Sequence, residues 1–310
     1  MLSINDKWVW DFWLCQDGDE HHIFYLQAPK SLGDERLRHF NASIGHAVSK
    51  DLCNWTILPD ALSPGPIGAW DDQATWTGCT YKNGGKWYLF YTGVNKAEKG
   101  LVQRIGVALS EDLIHWEKYG DNPIMEADPN WYELLDLNTW HDQAWRDPWV
   151  FRYENQFHAY ITARVNHGEP DGRGVIGHAV SDDLLQWKIG PPLTEPGDYG
   201  QLEVPQLIEV NSQPHLIFST DKFTHAQALL DQTKRPAITG TASYLGQTPL
   251  GPFIHNKNPW LFGNEAGLLY SGRFIQADKR GWTLMAFENY GEDGEFIGRI
   301  PDPFSVSPPK

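Results

Sequence analysis

A six-residue pattern recurs along this chain: Ile44-Gly45-His46-Ala47-Val48-Ser49, Ile105-Gly106-Val107-Ala108-Leu109-Ser110 and Ile176-Gly177-His178-Ala179-Val180-Ser181. Two residues after each serine comes Asp-Leu (Asp51-Leu52, Asp112-Leu113, Asp183-Leu184), and then a tryptophan, Trp55, Trp116 or Trp187. Ile238-Thr239-Gly240-Thr241-Ala242-Ser243 is a weaker fourth copy, and Phe296-Ile297-Gly298 is the remnant of a fifth. A fixed internal period constrains a fold more than local propensity does, because each unit must bury its face against the next.

Ahead of each copy lies a short aromatic or aliphatic run: Ile23-Phe24-Tyr25, Leu89-Phe90-Tyr91, Ala159-Tyr160-Ile161, Leu216-Ile217-Phe218 and Leu284-Met285-Ala286-Phe287. These read as β-strands, with turns at Asp17-Gly18 and Asn83-Gly84-Gly85. Tyr132–Leu137 and Ala226–Leu230 are the helical candidates. Five units in 310 residues leave room for four short strands each, which predicts an all-β, five-bladed β-propeller rather than a two-sheet sandwich. The repeated tryptophans are expected to pin neighbouring blades and the repeated aspartates to cap turns, without a role in chemistry.

Composition narrows the function. Forty acidic residues against 25 Lys and Arg give a net charge of −15, with no basic stripe, which argues against a nucleic-acid partner. No leader-like start and no apolar run of membrane-spanning length is present, so a cytoplasmic protein without a membrane partner is expected. Cys15, Cys53 and Cys79 suit neither a disulfide framework nor a zinc site, and the His21-His22 pair points to opposite strand faces. No metal and no cofactor is expected.

Counting back from the second-strand aromatic of each unit locates matched positions on the preceding, innermost strand. Asp11 lies fourteen residues before Tyr25, Asp147 thirteen before Tyr160, and Glu203 fifteen before Phe218. The same count reaches Thr77 from Tyr91 and Arg273 from Phe287. Three acids remote in sequence would thus meet at one end of the central channel. Each sits among large apolar residues, where an unpaired carboxylate is costly: Trp10-Asp11-Phe12-Trp13, Trp145-Arg146-Asp147-Pro148-Trp149 and Leu202-Glu203-Val204-Pro205. Paired carboxylates are what glycoside cleavage requires. Glu203 is assigned as general acid, Asp11 as nucleophile, and Asp147 as the residue that holds sugar hydroxyls and stabilises the transition state. Trp10, Trp13, Trp76 and Trp149 are candidate stacking surfaces for a furanose, some of them core, with Thr77, Arg146 and Arg273 completing the wall of a small-carbohydrate site.

These motifs resemble those of the fructoside-acting glycoside hydrolases of families 32 and 68, with family 43 a more distant relative of the same architecture. Val9-Trp10-Asp11-Phe12-Trp13 is similar to the nucleophile segment of levansucrases. Arg146-Asp147-Pro148 matches the Arg-Asp-Pro motif of both fructoside families, and Glu203-Val204-Pro205 is similar to their acid/base motif. Trp76-Thr77-Gly78 takes the place of a blade-two Trp-Ser-Gly or Phe-Ser-Gly segment. Val204 stands where invertases carry Cys and levansucrases Arg, so the leaving-group side differs from both. The resemblance implies cleavage of a β-fructofuranoside, by hydrolysis or transfer, with retention through a covalent fructosyl enzyme. It also implies a single catalytic propeller over residues 1–310 without the β-sandwich that follows it in family 32. The alternatives are an inverting arabinofuranosidase or xylosidase of the family 43 kind, and a sugar-binding propeller without catalysis.

Overall fold

The structure, a computed structural model, describes residues 1–254, 258–277 and 281–309. Its strands form five sheets in chain order. Blade one holds β1 (Lys7–Asp17), β2 (Glu20–Pro29), β3 (Ser43–Ser49) and β4 (Thr56–Leu62). Blade two holds β5 (Ala74–Asn83), β6 (Lys86–Val94), β7 (Arg104–Ser110) and β8 (Glu117–Lys118). Blade three holds β9 (Trp145–Tyr153), β10 (Gln156–Arg164), β11 (Gly174–Ser181) and β12 (Lys188–Gly190). Blade four holds β13 (Glu203–Val210), β14 (Gln213–Thr220), β15 (Thr239–Gly246) and β16 (Phe253–Ile254), with β17 (Trp260–Asn264) also paired to β15. Blade five holds β18 (Leu269–Ala277), β19 (Gly281–Tyr290) and β20 (Phe296–Arg299), with β21 (Phe304–Ser305) paired to β19.

The first strand of each blade touches the first strands of its neighbours, from β1 through β5, β9, β13 and β18 back to β1. The protein is therefore a five-bladed β-propeller. Leu2 and Ile300 exchange both backbone hydrogen bonds, at 2.8 and 3.0 Å, and close the ring between the first and last blades. Among the described residues no helix is long and apolar enough to cross a membrane.

The aspartates of the repeated motif cap turns as expected, and two of its three tryptophans meet the neighbouring blade. Asp51, Asp112 and Asp183 each accept two backbone N–H bonds from the turn that follows, at 2.8 and 2.9 Å. Trp116 of blade two meets Phe24 of blade one edge-on, and Trp187 of blade three meets Phe90 of blade two in the same way. Such contacts bury large apolar faces between blades. Of the two helical candidates, the second forms α1 (Gln227–Thr233) in the link between β14 and β15. The first does not form. Tyr132 instead bridges to Val165, and its hydroxyl donates to Gly190 O at 2.7 Å, so tertiary pairing overrides local propensity there.

One irregularity repeats in all five blades. The ladder between each first strand and its partner carries one extra residue on the first strand: after Trp10 in β1, Trp76 in β5, Arg146 in β9, Glu203 in β13 and Tyr270 in β18. These are β-bulges, which kink a strand and re-aim its side chains. In four blades the next residue has positive φ: Asp11 (20°), Asp147 (56°), Val204 (46°) and Ser271 (56°). Non-glycine residues adopt this conformation at a cost, and it clusters where function demands it. The bulges therefore form a collar at one level of the channel.

Candidate active site

The collar surrounds a cavity of about 270 Å³ lined by Asp11, Trp76, Thr77, Arg146, Asp147 and Glu203, together with Val204, Tyr270, His39, Asp142 and Gln201. The three acids, brought from blades one, three and four, line it together. The ladders refine their relation. Trp10, Trp76, Arg146, Glu203 and Tyr270 occupy one level, facing Leu26, Thr92, Thr162, Ser219 and Phe287, whereas Asp11, Thr77, Asp147, Val204 and Ser271 are the bulged residues that follow. Glu203 is thus not at the matched position of Asp11 and Asp147 but one residue before it. Counting from the aromatics misses this because they sit at different levels: Phe287 lies opposite Tyr270, while Tyr160 is two residues short of Thr162.

Arg146 organises the acids. Its Nη2 donates to Glu203 Oε1 at 2.7 Å, its Nη1 to Gln103 Oε1 at 2.9 Å and Asp142 Oδ2 at 3.4 Å, and its Nε lies 3.6 Å from Asp147 Oδ2. Burial opposes its charge, but Asp142, Glu203 and Asp147 together outweigh that and hold it protonated. The second Glu203 oxygen accepts from the Tyr270 hydroxyl in a short contact. Burial first, then the charge of Glu203, raises the Tyr270 phenol well above its ordinary value, so it remains a donor.

Asp147 Oδ2 accepts from Thr162 Oγ1 at 3.0 Å and from the Val204 N–H at 3.2 Å, while the Asp147 N–H donates to Thr92 Oγ1 at 3.0 Å. Its carboxyl is nevertheless pushed up to about 6, chiefly by burial, with Arg146 pulling the other way and Glu203 adding to the rise. Asp11 is pushed further, to about 7, by burial and then by the charges of Asp147 and Glu203. Thr77 Oγ1 donates to Asp11 Oδ2 at 3.3 Å; Asp11 Oδ1 is buried without a hydrogen-bond partner among the described residues. The Ser271 hydroxyl is close enough to favour the ionised form slightly, yet lies outside hydrogen-bond geometry. Burial thus brings the titration of Asp11 and Asp147 close to neutral pH.

The remaining predicted wall residues divide. Trp76 stands in the cavity wall, its Nε1 donating to His39 O at 2.6 Å. Trp10, Trp13, Trp149 and Arg273 are not among the cavity-lining residues and work as scaffold. Trp10 is 1% exposed, packed against the His39 ring edge and the Arg38 guanidinium. Trp13 stacks on Phe24 and donates to Thr80 Oγ1 at 2.9 Å. Trp149 lies beneath the Arg273 guanidinium. The bulge separates Asp11 from its neighbours' faces, which sends the acid inward and the tryptophans into the packing between blades. Arg273 is a buried cross-tie: from blade five it donates to Phe12 O of blade one at 3.0 Å, and to Val204 O and Pro205 O of blade four at 2.8 and 3.0 Å. Burial lowers it to about 10, against the favourable charges of Asp147 and Asp11.

Several site residues had escaped the count: Tyr270, Thr162, Gln103, Asp142, Gln201 and His39. Tyr270 alone carries a local signal, since Tyr270-Ser271-Gly272 repeats the aromatic-hydroxyl-glycine order of Trp76-Thr77-Gly78. The others come from loops and second strands. His39 is held neutral, lowered to about 3 by burial and by the charges of Arg38 and Arg146.

Residues 12–248 match the glycosyl hydrolases family 32 N-terminal domain. Among known proteins, the chain is 29% identical over 213 residues to a sucrose-6-phosphate hydrolase of Zymomonas mobilis, an alignment covering 64% of this chain and 38% of that protein. It is 35% identical over 201 residues to a cell wall isozyme of beta-fructofuranosidase from Pisum sativum, covering 62% of this chain and 32% of the relative. The chain thus spans about a third of the length of these curated relatives. The fold is that of the inulosucrase from Halalkalicoccus jeotgali bound to kestose, with a TM-score of 0.76 at 21% identity over 95% of this chain and 79% of that one. Bacillus subtilis levansucrase superposes with a TM-score of 0.75 at 14% identity, covering 98% and 85% of the two chains. With the family model spanning most of the sequence, from the residue after Asp11 to beyond the weaker fourth repeat, the chain belongs to glycosyl hydrolases family 32.

Proposed function

We propose that this protein cleaves β-fructofuranosides, transferring the fructosyl unit to water or to another sugar. The observation that carries the reading is the convergence of Asp11, Asp147 and Glu203 on one cavity, with Arg146 joining the last two. In the first step an Asp11 oxygen attacks the anomeric carbon, and the bond to the leaving oxygen breaks as Glu203 protonates it. Asp147, held by Thr162 and the Val204 N–H, binds sugar hydroxyls and stabilises the positive charge that develops on the ring. In the second step Glu203 takes a proton from the acceptor, whose oxygen displaces Asp11. Asp11 attacks as the carboxylate, so it gives up its proton before the first step.

The same reading takes residues 1–310 as one catalytic propeller and the cytoplasm as its compartment, the latter supported by cysteines that form no disulfide framework. Proton NMR of the first-formed fructose from sucrose or kestose tests the mechanism. Retention is expected, together with a mass increase of one fructosyl unit on an Asp11-containing peptide after rapid quench. An inverted product removes the covalent step and Asp11 as nucleophile.

A further inference from the structure

The wall beside Glu203 is built around Trp140. The Arg164 guanidinium lies over the Trp140 ring at 3.7 Å from its centroid, and Arg164 Nη1 donates to Gly200 O at 2.7 Å. A Cβ on Gly200 would fall 2.6 Å from the Trp140 ring. The segments carrying Asp142 and Gln201 are thereby locked against each other. Each carries a polar atom that the protein leaves unsatisfied: Asp142 Oδ1 and Gln201 Nε2 are buried without a hydrogen-bond partner among the described residues, and both side chains line the cavity. Gln201 is only 5% exposed. The other Asp142 oxygen is taken, by Gln103 Nε2 at 2.8 Å and by Arg146. An acceptor and a donor left open in a buried wall are destabilising unless a ligand completes them.

Their position says which part of a ligand they meet. Arg146 connects Asp142 directly to Glu203, and Gln201 precedes Glu203 by two residues, whereas Asp11 is carried by blade one and bonded to Thr77 of blade two. Both groups therefore flank the proton donor, from which the leaving group departs. The charge there is unfavourable to anions. Arg146 is the only Lys or Arg lining the cavity among the described residues, and its donors are already committed to Glu203, Gln103 and Asp142. His39 adds no positive charge, and the second imidazole of the lining, His141, lies with its Nε2 3.8 Å from Asp142 Oδ2.

Resting on the function proposed above, we infer that Asp142 and Gln201 form the leaving-group subsite and select an uncharged, hydroxyl-bearing leaving group over one that carries a phosphate monoester. Asp142 Oδ1 accepts one sugar hydroxyl and Gln201 Nε2 donates to another. A phosphate would meet the Asp142 carboxylate with no uncommitted lysine or arginine in the described lining to offset it.

The test compares release of fructose from sucrose and from sucrose 6-phosphate at low salt. Wild-type kcat/KM should favour sucrose by at least about a hundredfold. Asp142→Asn should reduce that ratio by about tenfold or more, and Asp142→Glu should keep it. Gln201→Leu should raise KM for sucrose about tenfold and leave the ratio unchanged, a split that general loosening of the wall would not produce. Equal or better use of the phosphate ester by wild type, or an Asp142→Asn ratio within twofold of wild type, overturns the inference. If wild type cleaves neither sugar, the functional reading fails instead. Titration calorimetry of the Glu203→Gln protein with the same two sugars then decides the subsite: tighter binding of sucrose supports it, and equal or tighter binding of the phosphate ester rejects it.

Discussion

Arg146 Nη2 donates to Glu203 Oε1 at 2.7 Å, joining the bulge of blade three to that of blade four across the mouth of the channel. The contact links two residues at the same ladder level, so blade geometry sets it rather than side-chain reach. A planar guanidinium is needed because one group serves Glu203, Gln103, Asp142 and Asp147 at once. Arg146→Lys keeps the charge but loses the fork. Its kcat should fall about a hundredfold with little change in thermal stability; a loss under threefold would show that charge alone suffices.

Tyr270 supplies the second donor to Glu203 from blade five. Hydrogen bonds to charged groups contribute about 1.5–3 kcal/mol. Tyr270→Phe should lower kcat on sucrose by roughly ten- to a hundredfold, while KM moves less than threefold. Steady-state kinetics on both variants would expose a purely packing role, which would leave kcat untouched.

The raised acids make stability depend on pH in a defined direction. Asp11 and Asp147 sit at about 7 and about 6 in the fold, above the ordinary 3.8. Folding therefore binds protons, and the stability this brings is complete below about pH 4 and is lost as pH rises through 6 and 7. Asp11→Asn removes that loss. It should raise the melting temperature by several degrees at pH 8, give no gain at pH 4, and lower turnover by about a thousandfold or more. Equal melting shifts at both pH values would contradict the assigned cause.

Blades one and three carry a second titrating element of opposite sign. His22 Nδ1 lies 2.9 Å from His46 Nε2, and His158 Nδ1 lies 3.0 Å from His178 Nε2. Burial, with the neighbouring ring next, lowers His46 to about 3 and His178 to about 4. Their contribution is present above the ordinary 6.5 and is lost as pH falls toward those values. Blade two has Val107 at the matching position. His46→Val with His178→Val should lose less stability than wild type between pH 7 and pH 5, as read by urea melts; parallel losses would discount the pairs.

How far the sequence discloses this molecule depends on which constraint wrote each part. The repeat from Ile44 to Trp55 and its copies carry packing and turn chemistry that every blade needs, so the propeller, the aspartate turns and the tryptophan pins are all readable. Asp11, Asp147 and Glu203 were findable because each interrupts an apolar strand. Their register was not, because a bulge is a backbone event marked here only indirectly, by Pro148, Pro205, Gly78 and Gly272 next to the shifted residues. The same bulge explains why Trp10 and Trp13 look like sugar platforms in the sequence and are core in the fold. Asp142, Gln103 and Gln201 come from connections that obey no period, and only folding assembles them.

Arg273 never meets the cavity, yet it clasps main-chain oxygens on either side of the acids. The floor of the site is consequently inherited as a unit with the ring itself, while the wall around Trp140 hangs on separate loops. Descent with modification can then rewrite preference for what leaves without dislodging the groups that break the bond.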